Sequence, residues 1–249
     1  MIDYKTVLCD IGSHLKEHGE GASPFLNHIS SVFVPHFDEG FGSTKNRVVI
    51  VGQESRGWQK RLSELTVDNP DFDDMISRSR NRHKVLYESA PGKSKFLQYV
   101  KRIKDANQQQ PVQWLNFYMC DYKRKSFNNL NNSKRGNVRL FEYLRDESVK
   151  NLSQQLNLLK PRVIFFVGGY HNNFPLLQQT LEVQSQPLIL KQPVEKLSLS
   201  IWNNQTLVLR LPHPSARSRV AQRARVAALQ CLKTFDQHEH IEDFKASLI

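Results

Sequence analysis

Two hydrophobic periods alternate along this chain. Val7, Leu8, Ile11 and Leu15 recur at three- and four-residue steps, which predicts an amphipathic helix over 4–18. RVVIVG (47–52) is a continuous apolar run, rich in β-branched residues and closed by a glycine, as expected of a strand buried on both faces. The same signals then repeat. KFLQYVKRI (95–103) reads as an amphipathic helix, PVQWLNFYMCD (111–121) as a second strand, and NVRLFEYLRDESVKNLSQQLNLL (137–159) as one or two helices. Pro161 breaks the helical pattern; RVIFFVGG (162–169) is a third strand, TLVLRLP (206–212) a fourth, and a helix covers 218–235.

Buried strands separated by helices predict an α/β fold, a three-layer α/β/α sandwich around a short, mainly parallel four-stranded sheet. One domain over 1–249 suits this length, with 1–40 as an N-terminal helical extension and 236–249 as a polar tail. Residues 172–205, with NN, QSQP and QPV clusters, read as a loop-rich insertion or a small hairpin excursion, and NNLNNSKRGN (128–137) as a mobile loop. In such sheets ligands bind at the carboxyl ends of the strands. The informative stretches are therefore 53–58, 116–122, 168–171 and 213–219.

Composition narrows the class. Hydrophobic residues make up 39%, with 14 Phe and 3 Trp, enough for a core, so bulk disorder is excluded. The longest apolar run, around VIFFVGG, is too short to span a bilayer, and MIDYKTVLCDIG lacks the basic start and apolar block of a secretory signal. Cys9, Cys120 and Cys231 are odd in number and widely spaced; they form neither a disulfide framework nor a CxxC zinc pattern, and a reducing, cytoplasmic setting is expected.

Net charge is +11, and the positive charge is clumped in RSRNRHK (78–84), YKRK (122–125), SKRGNVR (133–139) and RSRVAQRAR (217–225). Any one run reads as a solvated face. Four runs, two of them beside strand-end loops, point to DNA or RNA as partner. No membrane partner and a monomer are expected.

Two strand-end loops carry unusual chemistry. VVIVGQESRGW (48–58) delivers Glu54 to a sharp turn straight from a buried strand, and LRLPHPSARSR (209–219) sets a histidine ahead of Pro, Ser and several arginines. With both in view the chain resembles the uracil-DNA glycosylase superfamily. GQESR (52–56) takes the place of the family's GQDPY or GEAPG motif after strand one, and HPSARS (213–218) that of HPSPLS after the last strand. WLNFYMC matches the strand whose Asn reads the base edge, and KPRVIFFVGGY the penultimate strand with its glycine turn, so the resemblance covers about 45–232. Each motif alone is short; the four share the family's order.

The resemblance implies a monofunctional DNA glycosylase that flips a damaged or modified pyrimidine and hydrolyses its glycosidic bond. No lysine stands at a motif position (Lys60 is nearest), so lyase chemistry is not expected, and no metal or organic cofactor is implied. An iron–sulfur cluster needs four cysteines, and only Cys120 falls near a comparable place. Breaking the bond builds positive charge on the sugar and negative charge on the base. Glu54 is the candidate for the first charge and His213 for the second, either as a neutral donor or as an imidazolium.

Base recognition falls on Gln53, Asn116, Arg56 and an aromatic, with Trp58, Phe117 and Tyr118 as candidates. Ser215, Arg217, Arg219, Arg223 and Arg225 are expected to bind DNA, Arg217 at the wedge position where the family carries Leu. Plainer roles stand beside these. Glu54 could cap a helix or pair with Arg56; Asn116 could satisfy backbone groups; Trp58 could be packing. His14 and His18 share a helix face without a third ligand, and His238 and His240 belong to the tail.

Two departures bear on substrate. Glu54 replaces Asp. Arg56 replaces the Tyr that excludes a 5-methyl group, which opens the 5-position side of the pocket. Two alternatives follow: a defence glycosylase that removes bulky modified cytosines from phage DNA, and a catalytically inactive member that binds DNA or a partner protein.

Overall fold

The structure is a computed structural model that describes residues 2–18, 23–54, 58, 60–132, 136–168, 171–190 and 193–248. Its sheet contains β1 (Val48–Gly52), β2 (Val112–Asn116), β3 (Val163–Val167), β4 (Ser185–Leu188), β5 (Ser198–Trp202) and β6 (Thr206–Leu211), in the order β2-β1-β3-β6-β5-β4. β1 runs parallel to β3, from Val48 opposite Val163 to Val51 opposite Phe166. β3 runs parallel to β6, from Val163 opposite Leu207 to Val167 opposite Leu211. Every residue of β1, β2 and β3 is buried, as the unbroken apolar runs of β1 and β3 require, and β2 carries two buried polar residues, Gln113 and Asn116.

The sheet is α/β as expected but has six strands and is mixed, not four-stranded and mainly parallel. The two added strands come from 172–205. β5 pairs antiparallel with β6, and β4 antiparallel with β5. In β5 Leu199 and Ile201 are buried while Ser198 and Ser200 are more open, a two-residue alternation for a strand with one face covered that ends at buried Trp202. The turn into β6 places Asn203 and Asn204 at φ 49° and 54°, a left-handed conformation that Asn tolerates. The asparagine pair is thus hairpin chemistry. β4 is an exposed edge, and Pro187 sits on it, where a missing N–H costs least.

Eight α-helices lie among the described residues: α1 (Tyr4–His18), α2 (Ser23–Leu26), α3 (Phe72–Glu88), α4 (Lys95–Ala106), α5 (Val138–Leu159), α6 (Phe174–Thr180), α7 (Arg219–Asp236) and α8 (Ile241–Leu248). The predicted helices are α1, α4, α5 and α7, with α5 unbroken. β2 stops at Asn116, short of the 121 expected, because the following residues turn away in bends. The stretch expected to be a mobile loop instead starts with a 3-10 turn, Phe127–Asn131, that buries Phe127 and Leu130. Nor is the tail merely solvated: α8 buries Phe244 edge-on against Phe235, with ring centroids 5.1 Å apart. None of the helices among the described residues is long and apolar enough to cross a membrane.

The chain divides into two compact units. One comprises 1–36, 54–89 and 116–155, and the other 37–53, 90–115 and 156–249. The first holds α1, α2, α3 and most of α5. There α1 lies so close to the 3-10 turn Leu62–Thr66 that a Cβ on Gly12 would stand 2.8 Å from the Leu65 carbonyl oxygen. The second unit holds the sheet with α4, α6, α7 and α8. On one sheet face Phe165 meets Tyr99 of α4; on the other Phe166 meets Phe174 of α6 and Trp202 of β5.

Candidate functional site

In the second unit, β1, β3 and β6 are parallel, so their carboxyl ends share one sheet edge. Gln53, Gly168 and the loop Pro212–Ser218 follow them there. The sequence dictates the loop's form. Pro212 and Pro214 prevent the strand from continuing, and Ser218 caps α7 by accepting from the Ala221 N–H at 3.2 Å. Between them the Ala216 N–H donates to the His213 carbonyl at 2.9 Å, closing a tight turn.

His213 is half-buried, and its loop fixes its chemistry. The Ser215 backbone N–H donates to Nδ1 at 3.2 Å, and the Ser215 hydroxyl stands 2.7 Å from the same nitrogen. A nitrogen that receives a backbone N–H must present its lone pair. The neutral ring therefore carries its proton on Nε2, and an imidazolium would turn Nδ1–H against the Ser215 N–H. Of the two states left open by the sequence, the Ser215 N–H contact favours the neutral donor. Phe96 of α4 flanks the imidazole, its ring within 14° of parallel and its centroid 6.3 Å away, and itself packs on Trp114 at 5.1 Å.

The arginines of this loop and helix separate into two kinds. Arg217, Arg219 and Arg223 are exposed, as is Ser215. Arg225 is 8% exposed, and its guanidinium points back into the loop. Nη1 donates to the His213 carbonyl at 3.3 Å and Nη2 to the Ala216 carbonyl at 3.0 Å. Burial depresses its pKa, and the neighbouring Arg102 adds to the depression. The DNA-binding role expected of Arg225 is therefore corrected: it clamps the histidine loop. Sequence gave no sign of this clamp, because nothing local marks which turn of α7 faces the loop twelve residues back.

The chain re-enters the first unit at Glu54, the residue after Gln53. Glu54 is half-buried, and its Oε2 is shielded from solvent. Asn116, the last residue of β2, is 6% exposed. Arg56 lies outside the described residues. Trp58 is 2% exposed; its Nε1–H donates to Ser79 Oγ at 2.8 Å, its ring meets Phe33 edge-on at 5.0 Å, and Arg82 lies 5.4 Å over it. That is a core tryptophan, so its packing role displaces the base-stacking one. Phe117 and Tyr118 are also fully buried, and Tyr118 donates to Asn128 Oδ1 at 3.0 Å.

Sequence reasoning passed over Asp121. Its fully buried carboxylate accepts from the Trp58 N–H at 3.4 Å and from the Arg124 N–H at 2.8 Å. It thus ties Trp58 to the loop after β2. The only local signal was an acid directly after a strand-like run.

The sequence profile described as the Uracil DNA glycosylase superfamily matches residues 39–235, most of the chain. No curated protein and no solved structure matches it.

Proposed function

The chain belongs to the Uracil DNA glycosylase superfamily, and on that premise we propose that it flips a damaged or modified pyrimidine out of DNA and hydrolyses its N-glycosidic bond, leaving an abasic site. Membership supports glycosylase-type activity and DNA as the partner. The observation that carries the reading to this chain's own residues is the state of His213. An imidazole whose Nδ1 is occupied by Ser215 offers Nε2–H as a donor, which is what a leaving base needs at its carbonyl as the bond's electron pair moves onto the ring.

In this mechanism the glycosidic C–N bond breaks with both electrons going to the base. The sugar carbon becomes cationic, and the Glu54 carboxylate stabilises that charge and orients the attacking water. Water oxygen bonds to the sugar carbon and its proton leaves; the departing base takes up a proton, so a neutral base and an abasic sugar result. Asn116 supplies one amide donor group and one acceptor for the edge of the flipped pyrimidine, with Gln53 beside the turn. Exposed Ser215, Arg217, Arg219 and Arg223 hold phosphates. No lysine nucleophile takes part. Arg56 stands in the sequence where a size-excluding tyrosine stands in the family motif, which favours tolerance for groups at the pyrimidine 5-position.

The test is single-turnover abasic-site formation on oligonucleotides carrying uracil, thymine, 5-hydroxymethylcytosine or its glucosylated form. At least one base should be released. Glu54→Gln should lower that rate about a hundredfold or more, the scale for losing one preorganised electrostatic group, with DNA affinity held. Arg56→Tyr should narrow tolerance at the 5-position. Absence of release from every substrate, with DNA binding intact, would replace the enzyme by a DNA-binding member of the fold. Near-normal release by Glu54→Gln would return Glu54 to a structural role.

A further inference from the structure

Beside the histidine loop, within the second unit, lies a groove of about 450 Å³ between α4 and the start of α7. Four cationic side chains line it: Lys95 and Arg102 from α4, Arg217 from the loop and Arg225 from α7. Among the described residues no acidic side chain lines it, and none of these four forms an ion pair. Gathering like charges with no counter-charge costs free energy in the absence of a ligand. The helices sharpen the effect. Neither α4 nor α7 has an acid in its first turn, so both positive helix ends go uncompensated there.

The groove is also built. Gln98 donates to the Gly92 carbonyl at 2.7 Å while accepting from Lys95 Nζ at 3.1 Å, which braces the turn before α4 and directs the lysine. The Tyr99 hydroxyl donates to the Arg225 carbonyl at 3.2 Å, tying α4 to α7. Val226, 56% exposed, supplies an apolar patch on the wall.

We propose that this groove seats the phosphodiester backbone of a DNA strand, with Lys95 and Arg102 of α4 as phosphate contacts opposite Arg217. It rests on the glycosylase reading for its partner and adds a second helix to the DNA-binding surface. Cations spaced along a groove match a chain of phosphates, and Val226 matches the sugar edge between them. Arg225 is left out of the phosphate contacts because its guanidinium is already committed to the loop carbonyls.

The experiment measures the salt dependence of binding of a labelled single-stranded oligonucleotide. The proteins are the wild type, Lys95→Gln/Arg102→Gln, and a control, Lys196→Gln/Lys233→Gln, which removes the same charge from exposed sites elsewhere in the unit. Each lost contact to a single strand should reduce the slope of log affinity against log salt by about 0.7, so the groove pair should lose about 1.4. The control should keep the wild-type slope. Melting curves check that both variants fold, which is expected because all four positions are exposed.

An unchanged slope in the groove pair, or an equal loss in the control, overturns the groove. Inorganic pyrophosphate is the second probe. If it binds at micromolar concentration and the oligonucleotide slope ignores the groove substitutions, the site takes small phosphates instead of a strand. The two readings fail separately. Abasic-site formation with an unchanged slope removes the groove alone, and a lowered slope without abasic sites removes the glycosylase activity alone.

Discussion

At the scale of the residue, His213 is set by what surrounds Nδ1. The Ser215 backbone N–H donates to that nitrogen, and the Ser215 hydroxyl stands within hydrogen-bond distance of it. Their contributions can be separated by Ser215→Ala, which deletes the hydroxyl and keeps the N–H. One hydrogen bond of this kind is worth on the order of 1 kcal/mol, so single-turnover excision should fall about fivefold. Ser215→Thr keeps a hydroxyl and should recover most of the loss. An equal loss in both variants would show that the serine acts through loop packing and not through its hydroxyl. The motif HPS was legible from the sequence as chemistry, since a histidine between a strand end and a Pro-Ser pair has few packing explanations. Its tautomer was not legible, because which ring nitrogen meets Ser215 depends on the turn closed by the Ala216 N–H.

At the scale of the element, Arg225 and the hairpin after Asp121 show how local structure is stabilised or strained around the motif loops. Arg225→Met should lower stability by about 1–3 kcal/mol, because two loop carbonyls lose a charged donor in a poorly hydrated place. Arg223→Met, on an exposed turn of the same helix, should leave the melting temperature unchanged. Equal melting temperatures for the two variants would remove the clamp.

The hairpin is the opposite case. Tyr122 bridges Lys125 across Lys123 and Arg124, which sit at φ 54° and 56°. Such turns prefer Asn-Gly, and each ordinary side chain in the left-handed region costs on the order of 1 kcal/mol. Lys123→Asn/Arg124→Gly should therefore raise stability by roughly 1–2 kcal/mol, read as a higher midpoint in denaturant at unchanged slope. No gain would mean that the cations repay the strain within the folded protein.

The same contrast explains what could be read from sequence among the elements. β1, β3, α4 and α7 were legible because burial imposes a period on them. α3 was not, because it buries only Met75, Ser79 and His83 of seventeen residues, too thin a stripe to register. Its start was in plain view, with Asp71 accepting from the Asp74 N–H at 2.9 Å. β4 and β5 were legible only as one of two alternatives, a hairpin excursion, because an edge strand and its half-covered neighbour carry serines and a proline where a central strand carries valines. For the candidate site, a strand-end loop announces its own residues, but partners such as Phe96, Asp121 and Arg225 reach it from distant parts of the chain.

At the scale of the whole molecule, alkaline pH sets two effects against each other. The chain carries a formal charge of +11. As pH rises toward the sequence pI of about 9.6 that charge falls, self-repulsion weakens, and the folded state should gain. The buried thiols act the other way. Burial raises the Cys231 thiol from 9.0 to about 11. It raises Cys120 further, with Asp121 adding to the shift. In the unfolded chain both titrate near their ordinary values. A group whose folded pKa is raised gives stability that is complete below the unfolded pKa and is lost as pH rises from there through the folded value. For Cys231 the window is pH 9 to 11, and the loss is roughly 2–3 kcal/mol at its end.

Buried Tyr4 and Tyr99, both pushed up by desolvation, add to the loss at still higher pH. Thiolate formation should win, since charge repulsion is spread over a wide, solvated surface while the thiolates must enter the core. Denaturant midpoints should hold from pH 7 to 8.5 and fall by pH 10.5. Thiol labelling supplies the matching readout: at pH 8, exposed Cys9 should react fast, and Cys120 and Cys231 only on unfolding. Cys231→Ser should flatten part of the alkaline fall. A midpoint that rises to pH 10.5 would mean that surface charge governs, and three equally fast thiols would contradict the burial of two. An excision profile taken above pH 9 would then report the fold as much as Glu54 or His213, so catalytic titrations belong below that point.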